Sequence, residues 1–206
     1  MNVAMVLLNP SKAGGIDDDP TVRKSVGFAR RHQPLPDRLV LRPGVPGGAV
    51  FGDGAMSRLS GHWIAGTRPA AEEDAAPYRY QLWRPIGDGR LDIVNMYGWR
   101  ATDPKKLAAA RAAGCDVIGP FNDELLVEAC RTADVVIVGW GSLAARRWAE
   151  ERAAHVLEML HALGKEAWCL GTTKDGQPSH PLMLPYSTPL VPYPPPEQAQ
   201  AQAGAR

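Results

Sequence analysis

The sequence predicts an α/β fold in which a mostly parallel, four-stranded central sheet carries helices on both faces. Two observations lead there. Residues 3–8 (VAMVLL) and 135–138 (VVIV) are continuous apolar runs, as strands covered on both faces require. Segments with helix-start signals alternate with the strands, an order that implies crossover connections and hence parallel pairing.

In chain order, the strand at 3–8 ends at Asn9-Pro10-Ser11, and Asp19-Pro20 supplies an N-cap and first-turn pair for TVRKSVGFARR. Residues 43–77 are rich in Gly, Pro and Ala with weak periodicity and read as the body of a long insertion spanning 43–90. It closes with Tyr78-Arg79-Tyr80-Gln81-Leu82-Trp83-Arg84, whose alternation fits a half-buried edge strand and whose interleaved aromatic and Arg side chains also suit stacking on bases. A second strand covers 91–95. Asp103-Pro104 opens the helix KKLAAARAA, which Gly114 stops, and NDELLVEACRTA follows Pro120. The strand at 135–138 runs into Gly139-Trp140-Gly141-Ser142, the longest helix spans about 142–163, and a last strand covers 166–170. The tail 194–206 (PPPEQAQAQAGAR) is of low complexity and expected to be disordered, leaving a single domain over 1–193.

A chain of 206 residues can bury about 70% of its unfolded surface without staples. Its 3 cysteines, Cys115, Cys130 and Cys169, form no CxxC or Cys/His cluster, so a disulfide framework, a zinc ribbon and a four-cysteine cluster are disfavoured; no cofactor and no metal are expected. No apolar run reaches a membrane span, and the start reads as a core strand rather than a signal peptide. A reducing, cytoplasmic setting is the expectation. The net charge of +1 neither announces nor excludes a nucleic-acid partner.

Open α/β sheets bind ligands beyond the carboxyl ends of their strands. That rule selects Asn9, Asn95, the Gly139–Ser142 turn, and the Gly171-Thr172-Thr173-Lys174 turn running on to His180-Pro181. Each has a plain structural alternative. Asn9-Pro10-Ser11 is a competent strand-ending turn, one of Asp17, Asp18 and Asp19 serves as a helix cap, and Gly-Trp-Gly-Ser suits a tight turn as well as a phosphate cradle.

Taken in order, Leu8-Asn9-Pro10, Ile93-Val94-Asn95, the Val136–Ser142 segment and His180-Pro181 resemble the motifs of the uracil-DNA glycosylase superfamily. The chain resembles still more closely a bacterial family of uncharacterised proteins, through LNPS, DDPT, RATDP, GPFND and LGTTKDGQPSHPLMLP. It departs from the superfamily pattern at Leu7, where Gly is usual, at Leu182, where a small residue is usual, and at Asn9, where an acid is frequent. The GAVF and Tyr78–Arg84 elements also come after the first helix instead of ahead of LNPS.

The resemblance implies a three-layer α/β/α sandwich and cleavage of an N-glycosidic bond. That reaction builds positive charge on the sugar and negative charge on the leaving base. His180 would donate to the base carbonyl, Asn9 would hold the water, and Asp18 or Asp17 would supply a carboxylate. Asn95 would read the base edge, and Tyr97 or Trp140 would stack on the ring. Arg100, Asp103 and Lys174 would meet sugar, phosphate or a substituent, and Ser11, Lys12, Arg23, Ser142 and Arg146 the DNA backbone. The many polar groups at the rim favour a modified pyrimidine, hydroxymethylated or glucosylated, in DNA, as phages carry. Two alternatives remain open on sequence: a hydrolase or transferase acting on free nucleosides or nucleotides, and a non-catalytic nucleic-acid or nucleotide-binding module.

Overall fold

The computed structural model describes residues 1–10, 20–32, 78–79, 81–101, 103–143 and 146–194. In chain order these form β1 (Val3–Leu7), α1 (Pro20–Arg31), β2 (Gln81–Ile86), β3 (Gly89–Asn95), α2 (Pro104–Ala112), α3 (Asn122–Thr132), β4 (Val135–Val138), α4 (Arg147–Ala162), β5 (Ala167–Cys169) and β6 (Val191–Tyr193). Strand β1 is buried along its length. Val3, Met5 and Leu7 enter one apolar layer with Val22, Phe28 and Ala29 of α1, while Ala4 and Val6 enter another with Leu107, Leu126 and Val156 of α2, α3 and α4. A strand with two dry faces has no place for polar alternation, which is why its sequence is apolar throughout.

The sheet is mixed and six-stranded, in the order β2-β3-β1-β4-β5-β6. This corrects the expected four-stranded, mostly parallel sheet. The four expected strands are neighbours and parallel at its centre, with Val3 opposite both Leu91 and Val135 and Leu7 opposite Asn95. An antiparallel strand is added at each edge. Strand β2 overlaps the edge strand expected from the Tyr-Arg alternation at Gln81–Arg84 and runs on to Ile86. Strand β6 is three residues with Pro at its centre, too short to show a period. Within the 43–90 region, residues 81–86 form the edge strand β2, paired antiparallel with β3; 43–77, like the tail from 195, lies outside the described residues.

Helix α2 starts where predicted, with the Asp103 side chain accepting from the Lys105 amide. Helix α4 starts at Arg147 and not near Ser142. The reason is local: Gly141 holds a φ of 79°, Leu143 turns into the core, and Arg146 stays extended before the first helical turn. Lys24 of α1 is spent internally, its Nζ donating to Leu184 O at 2.6 Å and lying 4.1 Å from the Tyr186 ring centre. Among the described residues no helix is long and apolar enough to cross a membrane.

One carboxyl is buried in the sheet. Asp92 accepts from Gln81 Nε2 at 2.6 Å and from Arg90 Nε at 2.7 Å. Burial raises its pKa above the ordinary value, against the opposing pull of Arg90 and Gln81. The folded state therefore holds this proton more tightly than the unfolded chain. The stability it contributes is complete in acid and drains as pH rises through the raised value. Thermal unfolding of wild type and Asp92→Asn between about pH 4 and pH 7 should show the wild type losing ground to the variant as pH rises; a constant difference would contradict this.

Candidate functional site

Because β3, β1, β4 and β5 are parallel, their carboxyl ends share one edge of the sheet. The chain leaves β1 toward β3 and then crosses back to β4, so the connections reverse at β1. Crevices outside such a reversal are where open α/β sheets bind ligands. A cavity lies there. Its described walls come from Leu7, Asn9 and Pro10 at the exit of β1, Ile93 and Asn95 of β3, Thr21 and Val22 of α1, Arg79, Gln81 and Leu82 on the β2 side, and His180.

Asn9 is fixed by its amide nitrogen, which donates to Ala101 O at 2.6 Å and Pro10 O at 3.2 Å. The Ala101 amide returns a bond to Pro10 O, so Ala101 and the Asn-Pro turn hold one another. Both bonds need an N–H donor. An aspartate at position 9 would set its lone pairs against two carbonyls, which accounts for Asn at this strand end. Its Oδ1 is left as the acceptor.

Asn95 follows Leu91 and Ile93 on the α1 side of β3 and is only 5% exposed. Among the described residues its side-chain amide makes no hydrogen bond, although it borders the cavity. Its main chain, by contrast, is heavily tied. Asn122 Nδ2 donates to Asn95 O and Met96 O, each at 3.0 Å, and Arg152 Nε donates to Met96 O at 2.8 Å. Arg152 is itself paired with the Asp123 carboxylate. Asn122 and Asp123 belong to the Gly-Pro-Phe-Asn-Asp run, which sequence reasoning treated only as a pattern; a polar residue opening a helix reads as a cap, and nothing local shows that it reaches back to another strand.

His180 arrives on the segment after β5. Thr172 pairs with Pro178, Thr173 and Gln177 close the turn through main-chain and hydroxyl bonds, and Gln177 Oε1 accepts from Trp140 Nε1 at 2.9 Å. The Gly141 amide donates to Pro178 O at 2.9 Å, and a Cβ on Gly141 would lie 3.2 Å from His180 Cβ. The Gly-Trp-Gly turn therefore seats the histidine segment, and its Gly141 amide is taken by that contact rather than turned to a phosphate. His180 Nδ1 accepts from the Leu182 amide at 3.3 Å, so the neutral ring carries its proton on Nε2.

The other expected site residues fall elsewhere. Tyr97 is buried against Trp148 at 5.4 Å between ring centres, with its phenol pushed up by burial, and Trp140 packs edge-on against Tyr193. Both belong to the layer beneath α3 and α4, so neither is a stacking platform in this cavity. Asp103 is a helix cap, and Lys174 is exposed on its turn. Ser142 donates to Asp175, whose carboxyl is held below its usual range by the hydroxyls of Thr173 and then Ser142. Arg100 is half-buried, Arg23 is exposed on α1, and Arg146 precedes α4; none of the three borders the cavity. Ser11, Lys12, Asp17 and Asp18 lie outside the described residues. Burial pushes the thiols of Cys130 and Cys169 up to about 12 and about 11, which leaves them no thiolate for nucleophilic work near neutrality. Among the described residues no group of three or more His, Cys, Asp or Glu could hold a metal.

A family model of proteins of unknown function, DUF1643, matches residues 78–182, just over half of the chain. The chain belongs to the DUF1643 family. The matched stretch runs from Tyr78, the neighbour of the cavity-lining Arg79, to Leu182, whose amide meets His180, and includes Asn95, Asn122 and Arg152 of this DUF1643 chain. No curated protein and no solved structure matches significantly.

Asn122→Ala should be destabilising by about 1–3 kcal/mol, because it strips a donor from two buried carbonyls. Urea unfolding measures this, and a change under about 0.5 kcal/mol, the level of an ordinary surface substitution, would show that the two bonds do not hold the strand end.

Proposed function

We propose that this DUF1643 protein is a DNA glycosylase that cleaves the N-glycosidic bond of a flipped-out, modified pyrimidine, hydroxymethylated or glucosylated, and leaves an abasic site, in defence against phage DNA entering the cytoplasm. The observation that carries the reading is the meeting of Asn9, Asn95 and His180 in one cavity at the carboxyl edge of the sheet, where the Asn95 amide makes no hydrogen bond among the described residues. An amide that borders the cavity with no hydrogen bond among the described residues can pair with a ligand edge offering both donor and acceptor. Apolar layers on both faces of the sheet support the three-layer α/β/α sandwich of the uracil-DNA glycosylase superfamily.

The chemistry follows from the fixed atoms. His180 Nε2–H donates to the base carbonyl, where negative charge grows as the bond to the sugar breaks. Asn9 Oδ1, its amide nitrogen anchored, accepts from the attacking water. The Asn95 amide pairs with the base edge. In the sequence Asp17 and Asp18 fall between Pro10 and Thr21, which both border the cavity. One of these carboxylates stabilises the cationic sugar or takes the proton of the water. Extruding the base costs a few kcal/mol, which phosphate contacts elsewhere on the surface supply.

The test is abasic-site formation on single- and double-stranded DNA carrying uracil, hypoxanthine, hydroxymethylcytosine, glucosylated hydroxymethylcytosine or ordinary bases. Alkali-labile sites on a modified DNA, reduced at least about 100-fold in a folded His180→Ala variant, are expected. Absence of sites on every DNA would reject a glycosylase. Equal yields on modified and ordinary DNA would reject the preference for a modified base.

A further inference from the structure

The segment that carries His180 has no core of its own. Among residues 182–189 no side chain is fully buried, and Met183 is 86% exposed. The Gly-Trp-Gly turn seats this segment ahead of the histidine, at Pro178. Beyond the histidine it rests on α1. Lys24 Nζ donates to Leu184 O and lies over the Tyr186 ring, which tilts against Phe28 at 5.3 Å between ring centres. The ring also lies over Gly27. A Cβ there would stand 2.7 Å from Tyr186 Cζ and 2.9 Å from Oη, so any side chain would displace the ring. Gly27 sits inside a helix with no turn to make, where Gly is a poor helix former. Its missing side chain is what admits the tyrosine.

A short relay joins this contact to the imidazole. His180 precedes the 3-10 turn Pro181–Met183, which the Leu184 amide closes on Pro181 O at 3.2 Å, and the Leu182 amide donates to His180 Nδ1 at 3.3 Å. Fixing Leu184 O therefore fixes the turn, and the turn orients the ring. The same helix walls the cavity through Thr21 and Val22. Thr21 and Gly27 are about 9 Å apart along its axis. One rigid element thus supplies a wall of the cavity and holds the segment that brings His180 to it.

We propose that Lys24 and Gly27 are positioning residues that hold His180 against the cavity, Lys24 by tying down Leu184 and Gly27 by admitting the Tyr186 ring. The coupling to His180 stands on this geometry; its effect on the reaction rests on the glycosylase reading.

The test compares wild type, Lys24→Met, Lys24→Arg and Gly27→Ala in two readouts, the ring-nitrogen signals of His180 by 15N NMR and single-turnover abasic-site formation. Wild type should show His180 as one tautomer, protonated on Nε2. Lys24→Met and Gly27→Ala should shift these signals, while the Asn122 side-chain amide stays in place. Their rates should fall about 10- to 100-fold, the cost of a reacting group misplaced by about 1 Å. Lys24→Arg, which keeps a donor and the charge, should recover most of both readouts. In a Tyr186→Ala background Gly27→Ala should add nothing, because the ring it displaces is gone. Unchanged His180 signals in folded Lys24→Met and Gly27→Ala overturn the proposal, and so do shifted signals at an unchanged rate. If wild type is inactive on every DNA the glycosylase reading falls, and the His180 signals alone decide the coupling. A wild-type arm stands where the variants do not fold: as one cooperative unit with α1, the Leu182 and Leu184 amides should exchange with deuterium within about 100-fold of the Phe28 amide, and a wider gap overturns the proposal.

Discussion

Strand β3 ends inside the protein, and the peptide groups that leave it must be satisfied there. Asn122 and Arg152 do this, placing three hydrogen bonds on the carbonyls of Asn95 and Met96 from two different helices. A buried carbonyl without a donor is among the costlier defects a fold can carry. The latch therefore couples the packing of α3 and α4 on one face of the sheet to the direction of the Asn95 side chain on the other. Its polar atoms lie among otherwise apolar contacts, and Asp123 neutralises the arginine that would be expensive to bury alone.

The remaining walls of the cavity are built on the same principle, of side-chain polar atoms anchored on the main chain. Asn9 spends its amide nitrogen on Ala101 and Pro10, and His180 spends Nδ1 on Leu182. Trp140 and Gln177 fasten the turn that brings the histidine in. Each of these groups has its orientation determined before any ligand arrives, which is the condition for electrostatic stabilisation of a developing charge without reorganisation.

The centre of the fold was legible in the sequence because buried parallel strands are apolar at every position, and 3–8 and 135–138 have no other reading in a chain of this composition. Once the strands are located, their carboxyl ends select Asn9 and Asn95, and the segment that follows β5 selects His180; the structure sets all three against one cavity. Strand β6 was not legible, since three residues with a proline show no period. Tyr97 and Trp140 were misjudged because an aromatic at a strand end has the same composition signal whether it faces a ligand or the core. Asn122, Arg152 and Arg79 act through partners far away in sequence, at separations of 26, 56 and 19 residues. No local pattern records such a contact.

The central claim is that the side-chain amide of Asn95 is held open to the cavity for a pyrimidine edge. Its side-chain amide resonance in 15N-labelled protein, followed during titration with free pyrimidine bases, tests this most directly. The account predicts that the Asn95 amide signal moves together with the His180 Nε2 signal, while the Asn122 amide, committed to two carbonyls, stays in place. Shifts that spare Asn95 and His180 and fall on other parts of the surface would contradict it.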